Sequence, residues 1–175
     1  MTIVVEDGSG RSDAESYVSV SEADAYLAAR NRTDWATQPI PQREAALRIA
    51  TEYLDRTYGL RWLGYRLSDA QALTWPRRQV KPNGYLGYLP STAIPMAVRN
   101  ASIELAFASL SIDLSPDLMN QSTSGGAVKR EKIGPIEIEY TEGVVASTGN
   151  SFVTINGMLA PLLASGMNSI PVVRC

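Results

Sequence analysis

Apolar side chains recur at helical spacing in two long stretches of this chain. Leu47, Ala50, Leu54 and Tyr58 follow one another three or four residues apart, and Ala46, Ile49 and Tyr53 widen the same stripe. Arg43, Glu44, Arg48, Glu52 and Arg56 fall mostly on the other side, so the pattern predicts an amphipathic helix from Pro41 to Tyr58. Pro41 suits a first turn, where its missing N–H has no intrahelical partner, and Gly59 marks the stop. In the second stretch Val98, Ala101, Leu105, Ala108 and Ile112 line one face, broadened by Ile103, Phe107 and Leu110, and Pro95 opens a helix that runs to Ile112. So wide an apolar surface predicts burial on two sides, at the centre of a bundle or between a bundle and a neighbouring subunit.

Weaker patterns fill the rest. Ser16 to Ser21 alternates as a short extended segment, and Ser21 with Glu22 and Asp24 starts a helix that ends near Arg30, with Ala23, Tyr26 and Leu27 inward. Asn31 to Pro41 reads as a loop around Trp35, Ser68 to Leu73 as a short helix ended by Pro76, and Lys81 to Thr92 as a loop rich in Pro and Gly. Beyond Leu114 a polar connection leads to two strands, Val128 to Ile133 and Ile136 to Tyr140, around Gly134-Pro135. A second polar connection, Thr141 to Ser151, precedes a short strand at Phe152 to Ile155 and a short apolar helix at Met158 to Ala164. The expected fold is mainly α: a helical bundle with a projecting β-hairpin and extended terminal arms. Residues 1–114 form the N-terminal arm and bundle, and 115–175 carry the hairpin, the short helix and the tail, as one structural domain with an appendage. Leu47, Leu54, Val98 and Leu105 are the expected core.

Composition narrows the chemistry. The 175 residues, 45% of them hydrophobic, suffice for one sizeable core. Histidine is absent, which removes Ser/His/Asp and Cys/His nucleophile systems and imidazole zinc sites. The single cysteine, Cys175, excludes an intramolecular disulfide and a thiolate cluster. Only Lys81, Lys129 and Lys132 supply lysines, and none lies in a phosphate-cradling Gly-rich loop. Glu137 and Glu139 sit side by side on one face of a predicted strand but lack a third ligand or a positioned base, and read as a solvent face. No catalytic residue, metal ligand or cofactor site is expected, and the chain is expected not to be an enzyme. No apolar run approaches the roughly 20 residues that cross a bilayer. The acidic start lacks the pattern of a signal peptide, so synthesis in a cytoplasm is expected.

The net charge of −2 conceals a segregation. Met1 to Asp24 holds six acids against Arg11, whereas Arg56 to Lys81 holds six bases against Asp69. Either these charges pair within the chain on an ordinary surface, or the bases form a patch for phosphate or an acidic subunit. Arg77, Arg78 and Lys81 are the candidates for a DNA-facing or intersubunit patch. Trp62, Tyr65, Trp75, Tyr85 and Tyr88 lie among the bases, and this interleaving suits a single-strand binder, in which bases stack on rings and arginines neutralise phosphates. The tryptophans suit a core equally well.

A family resemblance rests on several strings in order: EDGSG (Glu6 to Gly10), SYVSVSEADAYL (Ser16 to Leu27), EAALRIATEYLDRTY (Glu44 to Tyr58), QALTWPR (Gln71 to Arg77), Ile94-Pro95 and EKIGPIEIEY (Glu131 to Tyr140). Over about residues 3–165 the chain resembles a bacteriophage family of DnaT-like single-stranded DNA-binding proteins, and it is similar in helix order and length to the head-to-tail adaptors of long-tailed phages. The adaptor resemblance implies a structural virion protein at the head-tail junction. It would form a homo-oligomeric ring, usually of twelve copies, beneath the portal protein and beside a tail-side connector or terminator, touching genomic DNA only transiently. The DnaT-like resemblance implies DNA binding in replication. The low net charge and few lysines favour the adaptor. On that reading the apolar tail Ile170, Pro171, Val172 and Val173 docks onto the portal.

Overall fold

A computed structural model of the chain describes residues 2–114, 130–133, 136–139 and 152–164. It divides into two compact units, Met1–Leu114 with Val153–Cys175, and Ser115–Phe152.

The first unit is helical. Helix α1 spans Val20–Ala28, α2 Thr33–Ala36, α3 Ile40–Tyr58, α4 Met96–Ser109 and α5 Val153–Leu159, the last followed by a 3-10 turn, Ala160–Leu162. A two-residue ribbon, β1 (Tyr65–Arg66) with β2 (Arg77–Arg78), lies between α3 and α4 in the chain. Helices α3 and α4 pack along each other, and Leu47, Leu54, Val98 and Leu105 are all fully buried, as their spacing predicts. Thr51 and Ser102 are buried in the same core with their hydroxyls 3.5 Å apart.

Several boundaries differ from the sequence expectation. Helix α1 starts two residues early because Ser19, not Ser21, caps it: the Ser19 hydroxyl accepts from the Glu22 amide while the Glu22 carboxylate accepts from the Ser19 amide. The preceding segment joins the N-terminal arm through a parallel bridge, Val5 with Ser16, rather than forming a strand of its own. Within the predicted loop, α2 buries Trp35, whose indole N–H donates to Asp24 at 2.6 Å. Glu44, expected outside, is buried where the Ile3 amide of the N-terminal arm donates to its carboxylate, and Ile49, expected inside, is exposed. Helix α4 ends at Ser109, and Ile112 beyond it is exposed.

Residues 68–73 are not helical. Gln71 holds them in turns, accepting from the Ser68 amide and donating to the carbonyls of Leu73 and Pro76. Residues Val153 to Ile155 are helical rather than extended, and the apolar run after Met158 breaks into the 3-10 turn at Pro161. Ile155, Leu159, Leu162 and Leu163 bury their side chains, and α5 packs on α4 in the first unit.

In the second unit β3 (Arg130–Ile133) and β4 (Ile136–Glu139) form the expected antiparallel hairpin, with Ile133 opposite Ile136. Its register sets Glu137 across from Lys132 and Glu139 across from Arg130. Residues 115–129 and 140–151, and the tail with Ile170, Pro171, Val172 and Val173, lie outside the described residues.

Candidate nucleic-acid interface

The aromatic and basic stretch from Tyr58 to Tyr88 splits into a buried scaffold and an exposed rim. Trp62 and Trp75 belong to the scaffold. They meet edge to face with ring centroids 5.7 Å apart, Tyr58 packs on Trp62 at 5.8 Å, and Trp75 has no exposed surface. Neither indole is available to stack on a base, which corrects that part of the sequence reading.

Arg77 is likewise internal. Its guanidinium donates to the carbonyls of Trp62, Leu63, Gly64 and Thr74, tying the segment after α3 to the segment that carries β2. Only 8% of the residue is exposed, and burial holds its pKa below the ordinary arginine value. It therefore cannot serve in the patch expected of it together with Arg78 and Lys81. A second knot sits beside it. The Asp55 carboxylate on α3 accepts from the Tyr17 hydroxyl, from the Thr74 hydroxyl at 2.6 Å and from the Thr74 amide at 2.8 Å. Desolvation still raises the Asp55 pKa, and desolvation followed by the nearby Asp55 charge pushes Tyr17 well above the usual tyrosine value. The QALTWPR string is thus explained by architecture: Gln71, Thr74, Trp75 and Arg77 each hold the bend, which contains a cis Trp75–Pro76 bond.

The rim carries what the scaffold leaves out. Tyr65 is opposite Arg78 in the ribbon, so the ring and the guanidinium stem from one face, and Tyr65 is 65% exposed. Gly64 lets the two strands approach: its φ is +71°, and a Cβ there would collide with the Arg78 carbonyl. Lys81 follows at the base of a loop closed by the Leu89 amide donating to the Val80 carbonyl at 2.9 Å. The loop tip presents Tyr85 at 61% and Tyr88 at 69% exposure, with Leu86 fully exposed between them. Arg61 and Arg66 are exposed as well, Arg61 with its guanidinium 5.8 Å from the Tyr58 ring and Arg66 donating to the Gln71 carbonyl.

The charges are neutralised unequally. In the acidic stretch Glu6 accepts the amides of Gly8, Gly10 and Arg11, and Asp7 accepts the Ser9 amide. Asp13 pairs with Arg11, Glu15 with Arg48, Glu22 with Arg99 and Asp24 with Arg43. Here the intrachain reading of the charge pattern is correct. In the basic stretch only Arg56 forms a salt bridge among the described residues, with Glu52. Two surface cavities, of about 290 and 390 Å³, lie on the acidic side, lined in part by Glu6, Glu22 and Arg99 and by Ile3, Asp24 and Arg43 respectively, so their charged groups already serve one another. Among the described residues no three potential metal ligands come together, and no helix is long and apolar enough to cross a membrane.

Sequence reasoning identified Tyr65, Tyr85, Tyr88, Arg78 and Lys81 but not which of the aromatic and basic residues stay outside. The overlooked signal is the loop itself, where Leu86 stands between Gly84 and Gly87 with no partner pattern to bury it. No curated protein and no solved structure matches the chain. A family model does match, over residues 1–175, and the chain belongs to that family, described as "Putative DnaT-like ssDNA binding protein".

Proposed function

We propose that this chain binds single-stranded DNA through the rim formed by Tyr65, Arg78, Lys81, Tyr85 and Tyr88, as a binding protein without turnover chemistry. The observation that carries the reading is the uncompensated basic stretch: every acid of the N-terminal segment has a partner, whereas Arg78 and Lys81 stand exposed without an ion pair among the described residues. Exposed cations next to exposed rings are what a single strand requires, phosphates against the former and bases against the latter. The family description supports the same reading. It reverses the preference drawn from net charge, because a total of −2 does not say where the charges lie, and the cations of the rim have no ion pair among the described residues.

The test is anisotropy of a labelled oligothymidylate with the purified chain over a range of salt concentrations. Binding should weaken steeply with salt. The Arg78→Ala/Lys81→Ala double variant should lower affinity at low salt by roughly tenfold per charge, and Tyr85→Ala should weaken binding without altering the salt slope. Absence of salt-sensitive binding to a single strand would reject the reading.

One observation favours the head-to-tail adaptor instead. Leu86 is fully exposed between Tyr85 and Tyr88, Leu60 is fully exposed just after α3, and tyrosine with exposed aliphatic surface also suits contact with protein. On this reading the chain forms a ring, of about twelve copies by its resemblance to the adaptors, beneath a portal protein in the virion, the rim faces a neighbouring subunit, and the apolar tail Ile170, Pro171, Val172 and Val173 docks onto the portal. Mass measurement in solution separates the two: a closed ring dissociated by Leu86→Asp, with no affinity for oligothymidylate, selects the adaptor.

A further inference from the structure

The tip that carries Tyr85, Leu86 and Tyr88 touches little of the protein. A Cβ added at Gly84 or Gly87 would meet nothing within 4 Å, Gly84 takes a φ of +83° that favours glycine, and Tyr85, Leu86 and Tyr88 are all exposed. The position of these rings is therefore set at the base of the loop. One attachment there is local, Leu89 to Val80. The other reaches about eighty residues along the chain: the Asn83 amide donates to the Pro161 carbonyl at 2.8 Å, and the Asn83 side-chain amide donates to the Leu163 carbonyl at 3.2 Å.

The segment that receives Asn83 also grips the other arm of the rim. Leu63 donates to the Leu162 carbonyl at 3.0 Å, Ala164 donates to the Arg61 carbonyl at 2.7 Å, and Trp62 bridges Leu163 in antiparallel fashion. Pro161 to Ala164 is thus a clip, with the backbone leading to Tyr65 on one side and the tyrosine loop on the other. The clip is itself anchored below by the buried Ile155, Leu159, Leu162 and Leu163, and by the Tyr58 hydroxyl donating to Asn156 at 2.6 Å.

We propose that the clip fixes the spacing between the ribbon and the tyrosine loop, and that Asn83 is a positioning residue for single-stranded DNA. This rests on the binding reading above. Asn83 touches neither phosphate nor base; it holds the loop at a defined distance from Tyr65, so that rings on both elements meet one strand without an ordering cost at the moment of binding.

The test uses the full chain, labelled oligothymidylate and amide hydrogen exchange. Asn83→Ala should weaken binding roughly fivefold, the effect of one ordinary hydrogen bond, and leave the salt slope unchanged. Lys81→Ala, which removes a phosphate contact, should reduce the slope by about 0.7. Exchange at the amides of residues 85–89 should accelerate in Asn83→Ala while α3 stays protected. Wild-type affinity in Asn83→Ala, a reduced salt slope, or unchanged loop exchange overturns the proposal while leaving the binding reading intact. Failure of the wild-type chain to bind overturns both. If Asn83→Ala loosens α3 as well, the isosteric Asn83→Asp, which also loses the side-chain donor, must accelerate exchange at the same loop amides, and unchanged exchange there counts against the proposal.

Discussion

The first twenty-four residues and the stretch from Arg56 to Lys81 carry opposite charges of equal size, yet the fold treats them differently. The acids are drawn into the structure: Asp24 joins Trp35 of α2 and Arg43 of α3, Glu15 joins Arg48, and Glu22 both caps α1 and meets Arg99 of α4. Each of these acids fastens the arm or α1 to another helix. The bases divide instead. Arg77 goes inward and satisfies carbonyls that no helix or sheet claims, while Arg78, its neighbour in the strand, faces solvent. Two adjacent residues of one type thus hold different offices because strand geometry sends alternate side chains to opposite faces. In the first of these stretches an acid is a structural tie, whereas in the second Arg77 is a hidden brace and Arg78 and Lys81 are surface charges without an ion pair among the described residues.

Replacing Trp75 by Ala gives the largest expected effect. As a fully buried ring against Trp62 it should cost about 3–5 kcal/mol in denaturant unfolding, comparable to the roughly 2–5 kcal/mol expected for Leu54→Ala. A Trp75→Ala variant that kept its stability and lost only DNA affinity would move the tryptophan from the scaffold to the rim.

Removing an acidic tie tests the other region. Asp24→Ala leaves the buried Trp35 indole and Arg43 without their acceptor, and should cost about 1–3 kcal/mol with no change in oligothymidylate affinity. Weaker DNA binding without loss of stability would mean that the acidic stretch shapes the interface after all.

The smallest effect is a difference of sign with pH. The Glu15 pKa is lowered, first by its hydrogen bond from Arg48, so its contribution is present above the ordinary glutamate value and fades as pH falls through the folded one. The Asp55 pKa is raised by desolvation, so its contribution is present below the ordinary aspartate value and fades as pH rises through the folded one. Stability measured from pH 3 to 7 for Glu15→Gln and Asp55→Asn should therefore diverge from wild type in opposite directions. Curves that diverge in the same direction would contradict the assignment of Asp55 as a carboxylate whose burial outweighs its hydrogen bonds.

The long helices were legible because their signal is local and repeated. Leu47 and Leu54, like Val98 and Leu105, recur at the helical period, and such recurrence places them on a buried face whatever they pack against. The hairpin was legible from local signals too, with strict alternation from Ile136 to Tyr140 after the turn residues Gly134-Pro135. Ser68 to Leu73 misled because the Gln71 side chain takes the place of helical backbone bonds, accepting from Ser68 and donating to Leu73 and Pro76, and side-chain bonds of that kind leave no hydrophobic period. Val153 to Ile155 misled because β-branched residues in a short window resemble a strand until packing on α4 makes them a helix.

For the rim, the sequence determined the inventory: which aromatic and basic residues lie between Tyr58 and Tyr88, and that few acids lie among them. Only the tertiary structure decided which of them face outward. Tyr17 and Asp55 reach in from distant parts of the chain to hold Thr74, four carbonyls converge on Arg77, and Trp62 and Trp75 close on each other. Burial of a ring or a guanidinium depends on the neighbours that surround it in space, and these neighbours come from segments whose meeting is fixed by the collapse of the whole core rather than by any local pattern.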